Sequence, residues 1–142
     1  MGMSTELGYA AGLMDGEGSI QITKDKCLTS RRGYKYQLQV SMCSTRPEFL
    51  LWLKENFEGS FFLSGKTSIG NPVYHWELTS RKAGKLLAQI LPYLMTKRNK
   101  AEIALRFQER VARKEGHVGR RGYTEEQWNW FAEQKRLIEV TK

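Results

Sequence analysis

A chain of 142 residues with 40% apolar and 11% aromatic side chains can bury its own core, which excludes a disordered polypeptide and fits one domain over residues 1–142. Its 23 Lys and Arg against 15 Asp and Glu give a net charge of +8 and an isoelectric point near 9.6, favouring a polyanionic partner. No run approaches the roughly 20 apolar residues of a membrane span, and Cys27 and Cys43 have neither metal-ligand spacing nor a disulfide framework, so a reducing, intracellular compartment is expected.

The first element is a short helix over residues 5 to 15, begun near Ser4 or Thr5 and stopped by Gly16 and Gly18. Gly8, Gly12 and Gly16 recur every four residues with Ala11 alongside, a small-residue face that lets another helix approach closely. "SIQITKDK" then alternates, Ile20 and Ile22 facing one way and Gln21 and Thr23 the other. The basic turn "TSRRGYK" leads to "YKYQLQVSM", where Tyr36, Leu38, Val40 and Met42 oppose Lys35, Gln37, Gln39 and Ser41, completing a hairpin. A polar face of this kind is ordinarily a solvated sheet surface. Its amides and hydroxyls are also groups that read base edges.

In "STRPEFLLWLKENFEG" the Thr45 and Glu48 spacing predicts a capping box, Pro47 lies in the first turn and Gly59 ends the helix. Phe49, Leu50, Leu53 and Phe57 would be its buried stripe. Two more strands follow near "SFFLSG" and "VYHWELT", the second with Tyr74, Trp76 and Leu78 opposite His75, Glu77 and Thr79. Helices are expected over about Ser80 to Leu91, over about Asn99 to Lys114, and after the basic glycine-rich loop "EGHVGRRGY", where Thr124 and Gln127 would cap the last one. Trp52, Trp76 and Trp128 read as packing residues. The order α-β-β-α-β-β-α-α-α describes an α+β domain with a four-stranded antiparallel sheet and helices on one face.

One stretch, "AAGLMDGEGSI", sets Asp15 and Glu17 at the helix C-terminus, where the backbone already carries partial negative charge. Two solvated acids are the ordinary reading; a hard divalent cation with oxygen ligands would also resolve the conflict. A calcium-binding EF-hand loop is excluded, because counting from Asp15 the glycine position holds Ile20 and the bidentate glutamate position holds Lys26.

"AAGLMDGEG", residues 10–18, resembles the signature of the LAGLIDADG homing endonucleases, with Glu17 replacing the second acid and keeping its carboxylate. "PYLMTKRNKAEIALRF", residues 92–107, resembles the segment in which that family carries a lysine beside its active site. The element order extends the likeness over nearly the whole chain, with one motif unit over residues 5–18 and C-terminal helices over about 99–142. The resemblance implies a saddle-shaped sheet, Glu17 and the Gly16 carbonyl as ligands of Mg²⁺ or Mn²⁺, Asp15 in a mainly structural role at the helix interface, and Lys97 stabilising charge near the scissile phosphate. For Lys97, a plain phosphate contact or a solvated helix start stands beside that role. The family's outer catalytic positions fall around Cys43, Ser44 and Arg46, where this sequence departs from the pattern.

A single motif helix further implies a homodimer joined through Gly8, Ala11 and Gly12, and two-fold symmetry implies an approximately palindromic target. By the same resemblance Gln21, Thr23, Lys35, Gln37, Gln39, Ser41, His75, Glu77 and Thr79 would face double-stranded DNA, while Arg31, Arg32 and Lys66 in turns would touch phosphates. Arg120 and Arg121 would either add a backbone contact or lie in a solvated loop. The expected activity is metal-dependent phosphodiester hydrolysis across the minor groove, leaving 3′ overhangs, in intron or intein homing. A cleavage-silent DNA-binding protein and an RNA maturase, with RNA as partner, are the alternatives. Organellar, bacterial and phage origins would look alike.

Overall fold

The computed structural model describes the backbone of residues 3–118 and 123–142 and the side chains of residues 4–111 and 123–142. Helix α1 (Met3–Glu17) runs directly into strand β1 (Gly18–Lys26), which hairpins into β2 (Tyr34–Ser44). Helix α2 (Glu48–Phe57), strands β3 (Ser60–Lys66) and β4 (Pro72–Thr79), and helix α3 (Ser80–Ile90) follow. A 3₁₀ turn (Leu91–Tyr93) then precedes α4 (Arg98–Val118) and α5 (Glu125–Val140). The sheet order is β1-β2-β4-β3 with every pair antiparallel, as the element order predicts.

The period-two pattern decides which face is buried. Ile20, Ile22, Leu38, Val40, Met42, Trp76 and Leu78 all lie in the core, packed beneath the helices. Burying each such side chain contributes about 1.5–3 kcal/mol, so a one-residue slip of register would expose the whole set. Helix α5 supplies Trp128, Phe131 and Ile138 to the same core. Its N-terminus carries the predicted capping box: Gln127 N donates to Thr124 Oγ1 at 3.1 Å and Thr124 N donates to Gln127 Oε1 at 2.7 Å.

Four expectations need correction. The first helix begins by Met3 and continues to Glu17, with Gly18 the first strand residue rather than a helix stop. Gly18 is needed there for proximity, since a Cβ would lie 2.9 Å from Met14 Cα and from Met14 O. The Thr45–Glu48 box does not form: Pro47 takes the N-cap position in helical conformation (φ −78°, ψ −15°), no side chain caps the end, and Arg46 N donates instead to Ser44 Oγ at 3.0 Å. Helix α4 runs on to Val118, through residues expected in the basic loop, and Arg120 and Arg121 lie outside the described residues. Strand β2 continues to Ser44, which brings Cys43 onto the sheet.

Gly59 ends α2 at φ 107°, and a Cβ there would approach Trp76 Nε1 to 2.6 Å and Glu77 O to 2.7 Å. Trp76 is fully buried and its Nε1 donates to Glu58 O at 2.9 Å, fixing the turn to the strand. Gly59→Ala is therefore expected to cost about 2 kcal/mol or more, read as a lower urea midpoint at unchanged slope.

Candidate functional site

Asp15 explains how a helix end tolerates acids. Its carboxylate accepts from two backbone amides far along the chain, Met95 N at 2.8 Å and Lys97 N at 2.9 Å, while Lys97 Nζ donates to the Asp15 carbonyl at 2.7 Å. The acid thus holds the segment leading into α4, whose amides and N-terminus are positive, and the ammonium offsets the negative carbonyl end of α1. Asp15 and Lys97 are both half-buried.

Glu17 is different. It is exposed and makes no hydrogen bond or ion pair among the described residues. Its carboxylate projects from the last turn of α1, two residues beyond the carbonyl that holds Lys97. A free carboxylate and a helix-end carbonyl such as that of Gly16 are hard oxygen donors of the kind Mg²⁺ takes. Among the described residues no three His, Cys, Asp or Glu side chains gather as a metal site.

The exposed face of the same α1 carries the glycine stripe. A Cβ at Gly8, Gly12 or Gly16 would meet nothing within 4 Å, so these positions need no glycine for packing within the chain. Ala11 does not share that face. It is fully buried with Ala10 and Met14 in the core, since α1 turns those three inward against its own sheet and helices. Tyr9, 52% exposed, flanks the stripe and meets Trp52 edge-on at 4.8 Å.

On the sheet face opposite the helices, register brings the polar residues together. Gln21 pairs with Gln39, Thr23 with Gln37, Gln39 with Thr79, Ser41 with Glu77 and Cys43 with His75. Gln21 Nε2 donates to Gln39 Oε1 at 2.9 Å and Gln39 Nε2 donates to Glu77 Oε2 at 2.9 Å. His75 Nε2 lies 3.1 Å from Glu77 Oε1, and His75 Nδ1 lies 2.9 Å from Cys43 Sγ. The Thr23 hydroxyl lies 2.7 Å from Asp25 Oδ2 and 3.2 Å from Gln37 O. Ser41 is on this face but only 6% exposed, its short side chain set between Ser19 and Glu77.

Around the rim, Lys35 is exposed opposite Asp25, and Lys66 is exposed at the end of β3. Arg31 and Arg32 occupy the β1–β2 turn, with the Arg32 guanidinium 5.3 Å from the Trp128 ring centroid, a cation–π contact that anchors its stem to α5. Cys43, which the sequence reading names only as an outer catalytic position, and Phe62 also lie on this face. Cys43 follows from extending the β2 alternation by one step, and Phe62, 43% exposed and 4.8 Å from the His75 ring, becomes visible only once β3 is paired to β4. Trp130, whose environment the sequence leaves open, stacks parallel to Phe107 at 6.5 Å beneath Arg110.

An amphipathic antiparallel sheet with helices on one face, a polar groove on the other and a free acid at the end of a leading helix defines the class. The chain belongs to the LAGLIDADG endonuclease family, whose model matches residues 10–110. Solved structures of this fold include the homing endonuclease I-CvuI in complex with the I-CreI target, 16% identical with a TM-score of 0.77 over 96% of this chain and 82% of that one. The archaeal intron-encoded homing endonuclease I-Vdi141I, complexed with DNA, is 13% identical with a TM-score of 0.67 over 99% of this chain and all of that one. The meganuclease I-SmaMI bound to uncleavable DNA is 16% identical with a TM-score of 0.74, and this chain spans only 45% of it. No curated protein matches the sequence. No helix among the described residues is long and apolar enough to cross a membrane.

Proposed function

We propose that the chain is a site-specific double-stranded DNA endonuclease of the homing type, working as a homodimer on a pseudo-palindromic site. The observation that carries this reading is the exposed Glu17 carboxylate, without a partner among the described residues, set at the end of a helix whose outer face is lined by Gly8, Gly12 and Gly16. A second copy packed along that stripe would bring a second Glu17 beside the first and complete an oxygen-donor set for two-fold related scissile phosphates. A bound Mg²⁺ or Mn²⁺ would supply Lewis-acid stabilisation and a water of lowered pKa. Lys97, held by the Asp15 carbonyl at 2.7 Å, would place positive charge beside the phosphoryl oxygens. Cleavage across the minor groove then leaves 3′ overhangs.

The amides of Gln21, Gln37 and Gln39, with Thr79 and His75, would read base edges in the major groove, on a face that Glu77 shares. Lys35, Lys66, Arg31 and Arg32 at the rim would contact phosphates, giving salt-dependent affinity without sequence information. Single-stranded RNA readers stack bases on several sheet aromatics, and among the described residues this face offers Phe62 with the His75 ring packed against it.

A randomised duplex library incubated with the protein in Mg²⁺ and sequenced at its ends tests the reading, with Ca²⁺ in parallel. The expected result is discrete ends at one pseudo-palindromic site in Mg²⁺, from a protein that sediments as a dimer. Site-selective retention with no ends in either metal would leave a DNA-binding protein, and preference for structured RNA over duplex would replace the reading with a maturase.

A further inference from the structure

Five side chains on the polar face form one hydrogen-bonded chain across three strands: Gln21 on β1, Gln39 and Cys43 on β2, His75 and Glu77 on β4. The chemistry of its members fixes the direction of the bonds that run from Glu77 to Gln39, Gln21 and His75. An ionised carboxylate only accepts. Glu77 spends one oxygen on Gln39 and the other on His75, so each must present an N–H to it. Gln39 therefore turns its Nε2 toward Glu77 and its Oε1 toward β1, and Gln21 must answer with its own Nε2. On the other arm, His75 presents Nε2–H to Glu77, and its Nδ1 lies 2.9 Å from Cys43 Sγ.

Glu77 is thus the common end of two donor chains. We infer that Glu77 is a positioning residue for base selection: by accepting from Gln39 it sets the amide orientation of Gln21, which lies two strands away and does not touch it. Gln21 then keeps Oε1 and a second N–H for a ligand, the acceptor-and-donor pair that matches the N6 amine and N7 of adenine. Gln39, with its oxygen engaged by Gln21 and one N–H by Glu77, keeps one N–H as a donor. This assignment rests on the proposed reading of the face as the DNA surface; the bond directions do not.

Glu77→Gln separates the two. It keeps shape and volume but replaces an acceptor-only group with one that can donate or accept, so both amides are released to flip. In the free protein, the Gln21 and Gln39 side-chain amide signals are expected to show one slowly exchanging proton each in the wild type and faster exchange in Glu77→Gln, at unchanged melting temperature. With duplex libraries, discrimination at the base pair facing Gln21 is expected to fall about tenfold, the worth of one bidentate amide contact, while preferences at base pairs facing residues outside the hydrogen-bonded chain hold. Unchanged amide signals in the variant would overturn the bond directions. Altered amides with discrimination intact at the Gln21 position would overturn the positioning role. A wild type that selects no duplex sequence would overturn base selection together with the proposed function, and the amide signals would still decide whether Glu77 orients the chain.

Discussion

Glu17→Gln is expected to abolish cleavage while leaving the folded protein and its DNA affinity in place. The side chain is exposed and has no partner among the described residues, so an isosteric amide should change stability by no more than about 0.5 kcal/mol. What it removes is a negative oxygen donor, which on the proposed reading would hold a divalent cation against the phosphate. Losing one electrostatic stabiliser of a transition state commonly costs about 100- to 1,000-fold in rate; in the proposed homodimer both copies would lose theirs, so the fall should reach at least that. Single-turnover cleavage of the selected duplex in Mg²⁺, with binding followed separately in Ca²⁺, gives the comparison. A variant that cuts at the wild-type rate would remove Glu17 from the chemistry. A variant that no longer binds would make it part of the DNA surface instead.

Asp15→Ala should fail in the opposite manner. Its carboxylate satisfies the backbone amides of Met95 and Lys97, and alanine would leave both donors without their partner at the junction of α1 and α4. The expected cost is about 1–3 kcal/mol, because two charge-assisted bonds are lost and the part-buried Lys97 amide is left unmade, while water can reach the exposed Met95 amide. Asp15→Asn should recover only part of it, since one carboxamide corner offers N–H to an N–H. Chemical denaturation with an unchanged slope is the measurement, and cleavage and binding should fall together as the folded fraction falls. If Asp15→Ala denatured like the wild type and lost cleavage alone, Asp15 would be a reacting group and its tethering role would be wrong. The two acids of one motif are thus distinguished by readout: one moves rate alone, the other moves stability.

The strands were readable from local pattern because one face of the sheet is buried and alternation has to obey it. Gln21, Gln39 and Glu77 were placed on the polar face by parity alone, and the register confirms that they share it. The Thr124–Gln127 box was readable for the same reason, since its bonds span three residues. Thr45 and Glu48 have the same spacing, yet Pro47 between them adopts helical geometry and takes the cap position itself. Ala11 was misassigned because small residues suit both a tight core and a tight interface, and only the direction in which α1 faces decides between them. The tether between Asp15 and Lys97, and the side-chain chain through Glu77, join residues from separate elements, so their bonds depend on tertiary placement that no local window contains.

The tether also bears on the order in which the molecule is made. Its hydrogen bond from Lys97 to Asp15 closes a loop of 82 residues, and closing so long a loop is entropically costly until the intervening strands have shortened the path. The sheet, built from the hairpin β1–β2 and the returning β3–β4 pair, comes between the two ends and brings them together. A chain with its sheet formed but this contact open would leave the carbonyl end of α1 without the Lys97 ammonium. The tether is therefore expected to close after the sheet, so that the α1–α4 junction is the last part of the molecule to lock.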